Sequence, residues 1–151
     1  SLQVQAKCKY QDENYWSHSV NSPVYNAWSG FAFEMLCLNH VPQIKAALKI
    51  EGVQTSVYCW RTPAQAERGA QIDLLIDRAD HCVNLCEMKF CRGKYTITKA
   101  EREKIENRMQ SFITHSKTKS SIRLTMITSF GVEKNTNSGI IQNELTLEDL
   151  F

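Results

Sequence analysis

The sequence predicts an α/β domain in which a mixed central sheet is flanked by helices. Three features carry this: two helical segments near the start, a run of short β-branched and apolar stretches in the middle, and a basic helical segment ahead of the last strands. The order is α, α, β, β, β, α, β, then β. At 151 residues the chain is long enough for one domain with a real core. A composition of 42% hydrophobic and 23% charged residues is that of an ordinary globular protein. No apolar run reaches membrane-spanning length and no signal-peptide pattern opens the sequence. No partner membrane is expected, and the expected compartment is cytoplasmic.

Residues 1–25 read as an N-terminal extension or interdomain segment, and residues 26–151 as the folded domain. The opening stretch is polar, with Tyr10, Tyr15 and Trp16 able to pack back onto a body. The absence of an initiator Met reads as the sign of a longer protein. Ser22-Pro23 is a turn or helix-start signal. Asn26 to His40 reads as the first helix: Trp28, Phe31, Met35 and Leu38 follow helical spacing, and Phe33, Leu36 and Cys37 make the rest apolar. A helix apolar nearly all round is expected to be buried. Glu34 lies inside it, a lone carboxylate that needs a partner.

Pro42 fits the first turn of a second helix, ended by Gly52. Val53 to Trp60 is a β-branched and aromatic strand, and residues 61–69 form a polar loop. Gln71 to Arg78 is the next strand, with Ile72, Leu74 and Ile76 expected on one face and Gln71, Asp73, Leu75 and Asp77 on the other. A short turn at residues 79–81 leads into the apolar run Cys82 to Phe90, so the two strands should form an antiparallel hairpin. Thr98 is a plausible N-cap, with Glu101 three residues on, for a helix to about His115 whose core stripe is Ile105, Met109, Phe112 and Ile113. Ile122 to Thr128 is a strand. Ile140, Ile141, Leu145 and Leu147 mark a last short strand, followed by a closing turn. His40 and His115 read as capping or surface residues. The six cysteines contain no C-x-x-C pair and read as reduced core residues.

The hairpin holds the chemistry. Val83, Leu85, Glu87 and Lys89 share one face of their strand, which puts an acid and a base side by side on an apolar element. Burying charges costs several kcal/mol unless they are paired or bind an ion. Counting back from the turn places Asp73 opposite residue 87. Two carboxylates facing each other repel unless a cation lies between them. Magnesium takes hard oxygen ligands, commonly one or two carboxylates with waters and phosphates. Lys89 on the same face can orient a water and stabilise charge on a phosphate under attack. A structural ion pair is the plainer alternative for the same residues. Charge is uneven as well: from Lys89 to Arg123 there are ten Lys or Arg against three Glu, a local +7, leaving −5 elsewhere. A basic segment after such a site suits a polyanion, although a solvated helix face would look the same.

Glu34 on an early helix, Asp73 on a strand and Glu87-x-Lys89 on the next, followed by a helix, together resemble the PD-(D/E)XK nuclease superfamily. The closer likeness is to the nuclease-like C-terminal domain that follows bacterial and archaeal AAA-type ATPase modules. The stretches Asn26 to Glu34, Gly69 to Arg78, Asn84 to Phe90 and Leu145 to Phe151 carry it. The Pro of the superfamily name is replaced, since Gln71-Ile72 precede Asp73. The resemblance implies a restriction-endonuclease-like αβββαβ core. It implies Mg²⁺, with Mn²⁺ as substitute, at Asp73 and Glu87 with Glu34 and the Met88 carbonyl assisting, and Lys89 as the catalytic lysine. DNA is the implied substrate, with Lys94, Lys99, Arg102 and Arg108 as candidate phosphate contacts and a homodimer among the assemblies such a domain can form. No G-x-x-x-x-G-K-[ST] loop is present, so the ATPase module would lie outside this chain. Two further readings stay open. One is a non-catalytic nucleic-acid-binding or regulatory module whose site is occluded, with Lys89 paired to Glu87. The other is a structural interaction module built on Trp16, Tyr25 and Trp28.

Overall fold

A computed structural model of the chain describes residues 22–64 and 69–151. The expectations for Cys8, Tyr10, Tyr15 and Trp16, and for most of the extension over residues 1–25, fall outside the described residues. The elements are α1 (Pro23–Leu38), α2 (Val41–Ala47), β1 (Thr55–Arg61), β2 (Gln71–Arg78), β3 (Cys82–Lys89), α3 (Lys99–Ser116), β4 (Ser121–Thr128) and β5 (Asn143–Thr146). Two 3₁₀ turns, Ser138–Ile140 and Leu147–Leu150, bracket β5. The five strands lie in sequence order in one sheet. The β1–β2 and β2–β3 pairs are antiparallel, while β3–β4 and β4–β5 are parallel. The predicted mixed sheet with flanking helices is therefore the observed fold. No helix among the described residues is long and apolar enough to cross a membrane.

The helices divide between two apolar cores. On one side Phe33 and Cys37 of α1 and Ile44 of α2 pack with Leu74, Ile76, Cys86, Met88, Ile127 and Leu145. On the other, Ile105 and Phe112 of α3 pack with Leu75, Val83, Leu85, Leu124 and Met126. Alternation along β3 sends Val83 and Leu85 to the α3 side and Cys86 and Met88 to the α1 side. Helix α3 begins where expected: the Thr98 Oγ1 accepts from the Glu101 N–H at 3.2 Å. Helix α1 begins earlier than predicted, because Ser22 caps it through the Tyr25 N–H at 3.1 Å and Pro23 occupies the first turn.

Several expectations need correction. Helix α1 is not buried all round: Trp28 and Phe31 are 64% and 62% exposed, and Val24, Met35 and Leu38 share that outer side. Periodicity finds a helix but does not say how much of its circumference is covered. Ile113 of α3 is likewise exposed. Cys59 is exposed rather than core, whereas Cys37 and Cys86 are buried; burial pushes the Cys37 thiol up to about 12, which keeps it inert. Ile140 and Ile141 fall outside the last strand, because the Asn135 side chain accepts from the N–H groups of Asn137 and Ser138 and folds that segment into a turn. Finally, Ile72 does not share a face with Leu74 and Ile76. It joins Leu75 in the α3-side core.

The displacement of Ile72 has a local cause. The β1–β2 register runs Tyr58↔Leu75 and then Trp60↔Ile72. Cys59 alone thus stands against both Asp73 and Leu74, a bulge on β2. One extra residue turns the strand over and re-aims the side chains beyond it. The bulge includes Asp73.

Candidate active site

The β2–β3 ladder runs from Arg78↔Cys82 to Leu74↔Cys86 and stops there. Beyond that point β2 continues to Gln71 against β1, and β3 continues to Lys89 against β4. The two strands part, like a fork, one residue short of Asp73 and Glu87. The register agrees with the hairpin count as far as Leu74↔Cys86, and the expected Asp73–Glu87 pair falls one step beyond the last paired residues. Between the prongs lies a cavity of about 140 Å³, lined by Glu34, residues 71–73, residues 86–89 and Arg108. The backbone of residues 71–73 and 87–89 along it is not engaged in the β2–β3 ladder.

Each side chain arrives by its own route. The Phe33 ring is buried and lies 6.0 Å from that of Phe90, which fastens α1 beside the end of β3. Glu34, the next residue round the helix, is thereby brought to the cavity. Asp73 comes from the bulge, and its Oδ1 accepts from Gln71 Nε2 at 2.6 Å. Glu87 and Lys89 come from the α3-facing side of β3. Arg108 comes from the core-facing stripe of α3, between Ile105 and Phe112. It grips Glu87 with two bonds, Nε to Oε1 at 2.9 Å and Nη2 to Oε2 at 3.2 Å. Bidentate guanidinium–carboxylate bonding of this kind is stronger and more directional than a single neutral bond.

The electrostatics tie the acids together. Burial raises the Glu34 carboxyl above its ordinary value, Asp73 pushes it up further, Lys89 pulls it back, and Glu87 adds to the rise. Glu34 is thus close enough to Asp73, Glu87 and Lys89 to sense their charges. Lys89 is in no salt bridge among the described residues, and Glu87 is paired with Arg108 instead. The Lys89–Glu87 pair that the non-catalytic alternative expects is not found among the described residues.

The donor set suits a hard cation. Three carboxylates border one cavity, and their mutual repulsion, felt by Glu34, is what a divalent ion would relieve. Among the described residues no three acidic, His or Cys side chains already stand in a ligating cluster. At most one or two of these carboxylates could therefore ligate one ion as they stand, the number magnesium commonly takes beside water and phosphate.

The candidate phosphate contacts fare differently. Lys94 and Lys99 are exposed. Arg102 bonds Glu106 at 2.6 Å and the Thr136 carbonyl at 3.2 Å. Arg108 belongs to the cavity itself. Sequence reasoning missed Gln71 as a residue of the site and, for Arg108, expected a phosphate contact without its pairing to Glu87. Gln71, two positions before Asp73, was visible as a polar neighbour on the same strand. The setting of Arg108 was visible too: a charged residue at i+3 from Ile105 and i−4 from Phe112 sits in an apolar stripe and needs a buried partner. His40 and His115 lie outside the cavity, each bonded to a carbonyl four residues earlier in its helix, Leu36 at 2.7 Å and Ser111 at 2.9 Å.

Fold and site together define an α/β protein whose mixed sheet forks into an acid-lined cleft. No family model matches the chain, and no curated protein matches it. Among solved structures it is similar to the crystal structure of a protein of unknown function, AF1548, at 15% identity and a TM-score of 0.50. The likeness covers 76% of this chain and 64% of that one, so the chain spans less than two thirds of that protein. It is a likeness of fold.

Proposed function

We propose that the chain is a PD-(D/E)XK-type nuclease domain that hydrolyses DNA phosphodiesters with Mg²⁺. The observation that carries this reading is the fork: Glu34, Asp73 and Glu87 around one small cavity, with a lysine on its wall that has no ionic partner among the described residues. Asp73 and Glu87 would hold the ion, assisted by Glu34 and the Met88 carbonyl. When bound, the metal supplies Lewis acidity to the phosphate and a more acidic water. Lys89 carries a positive charge to the same wall and can hold the attacking water or a non-bridging phosphate oxygen. Exposed Lys94 and Lys99, in the basic stretch that follows β3, can position the phosphate backbone. The same resemblance implies an ATPase module as the partner in the longer protein.

A specific observation also favours the second reading, a nucleic-acid-binding module without turnover. Both carboxylate oxygens of Glu87 are engaged by Arg108. One experiment separates the two. Plasmid, single-stranded and branched DNA are incubated with the chain and Mg²⁺, beside Lys89→Ala. Nuclease function predicts cleavage that falls by at least ~100-fold in the variant, the usual scale for removing a charge-stabilising group. Undiminished cleavage by Lys89→Ala would assign the activity to a contaminant. Binding without cleavage by wild type would establish the second reading.

A further inference from the structure

We propose that Arg108 is a displaceable counter-ion of Glu87: a divalent cation takes the carboxylate, and the released guanidinium takes a phosphate of the bound DNA. The proposal rests on the metal-site reading and assigns Arg108 a step within it. The geometry sets two uses of Glu87 in competition. Its Oε1 and Oε2 both accept from Arg108, at 2.9 and 3.2 Å. A carboxylate held by both oxygens to a guanidinium has poor access left for a metal, and a cation arriving at Glu87 meets the positive charge of Arg108 at once. A cation and Arg108 therefore compete for Glu87.

Arg108 is also placed to move. Its side chain is 26% exposed, against 12% for Glu87, so it sits at the rim of the buried pair rather than beneath it. Its Nη1 makes no hydrogen bond to a described residue. It lines the same cavity as Asp73 and Lys89, so a guanidinium released from Glu87 remains beside the place a phosphate would occupy. A planar fork that matches a carboxylate also matches a phosphate. While the metal is absent, Arg108 supplies the counter-charge in direct contact with Glu87. Metal and DNA would therefore bind cooperatively, each removing the obstacle to the other.

The test begins with Mn²⁺ alone. Calorimetric titrations of Mn²⁺ compare wild type, Arg108→Gln and Arg108→Lys without DNA, with circular dichroism as a check on folding. Exchange predicts Mn²⁺ binding about three- to tenfold tighter in Arg108→Gln, since the competing cation is gone. Binding of a duplex oligonucleotide in Ca²⁺ should weaken by about tenfold in the same variant, with Arg108→Lys between the two. A merely structural Arg108 would move metal affinity the other way or not at all. Mn²⁺ affinity equal to or below wild type in a folded Arg108→Gln overturns the exchange, and Arg108 is then a fixed brace of Glu87. Tighter Mn²⁺ binding with unchanged DNA affinity overturns the transfer to phosphate. If Arg108→Gln fails to fold, Arg108→Lys carries the same comparison, because a lysine cannot hold both carboxylate oxygens in a fork. No Mn²⁺ binding by wild type would instead remove the metal site beneath the proposal.

Discussion

The two ends of the β2–β3 hairpin treat their polar groups in opposite ways. At the closed end polar groups bond one another in a connected set. Arg78 bonds Asp80 at 2.9 and 2.5 Å and reaches Asn84 at 3.2 Å. Asn84, fully buried, donates to Thr125 at 3.0 Å and to Asn143 at 3.4 Å, and Arg123 bonds Asn143 at 3.1 Å. A network joins β2, β3, β4 and β5, and the ladder between β2 and β3 is unbroken beside it. At the open end the ladder stops, three acids border one cavity, and Lys89 has no ionic partner among the described residues. The same two strands thus carry a bonded polar network at one end and a cluster of like charges at the other. The first stabilises the sheet; the second is where a ligand would repay the cost.

That division makes opposite forecasts for the two ends. The largest effect on stability belongs to the closed end. Asn84→Ala leaves Thr125, Asn143 and Arg78 each short of a partner and should lower unfolding free energy by about 1–3 kcal/mol in urea denaturation, without changing metal binding. A smaller effect of opposite sign belongs to the open end. Glu34 is raised above its ordinary value of 4.5 by burial and by Asp73, so its ionised form is disfavoured in the folded chain. The penalty is absent below the unfolded value and grows as pH rises through the folded one. Glu34→Gln should therefore raise the melting temperature of the metal-free chain near neutral pH, lose that advantage at acid pH, and weaken Mn²⁺ binding. A destabilised Glu34→Gln at neutral pH would make Glu34 an ordinary structural carboxylate.

Sequence made the hairpin legible because its signals are local. Apolar runs of strand length flank a polar turn, and counting across that turn pairs residue 73 with residue 87. Thr98 announced its helix by the same kind of local chemistry. Features that depend on a third element were hidden. The bulge at Asp73 arises from pairing with β1, and no pattern within β2 reports it. The exposed Trp28 and Phe31 carry the spacing of core residues, and only the packing of α1 on the sheet shows which side is covered. Arg108 looked like one more cation in a basic helix. Its apolar neighbours at helical spacing were the available clue, and its partner on β3 is 21 residues away in sequence.

The central claim is that the open end binds a divalent cation through Asp73 and Glu87. Calorimetric titration of Mn²⁺ into wild type, Asp73→Ala and Asn84→Ala, without DNA, tests it most directly. Saturable binding is expected of wild type and of Asn84→Ala, and its loss in Asp73→Ala. Binding by a folded Asp73→Ala as tight as by wild type, or none by wild type, would contradict it.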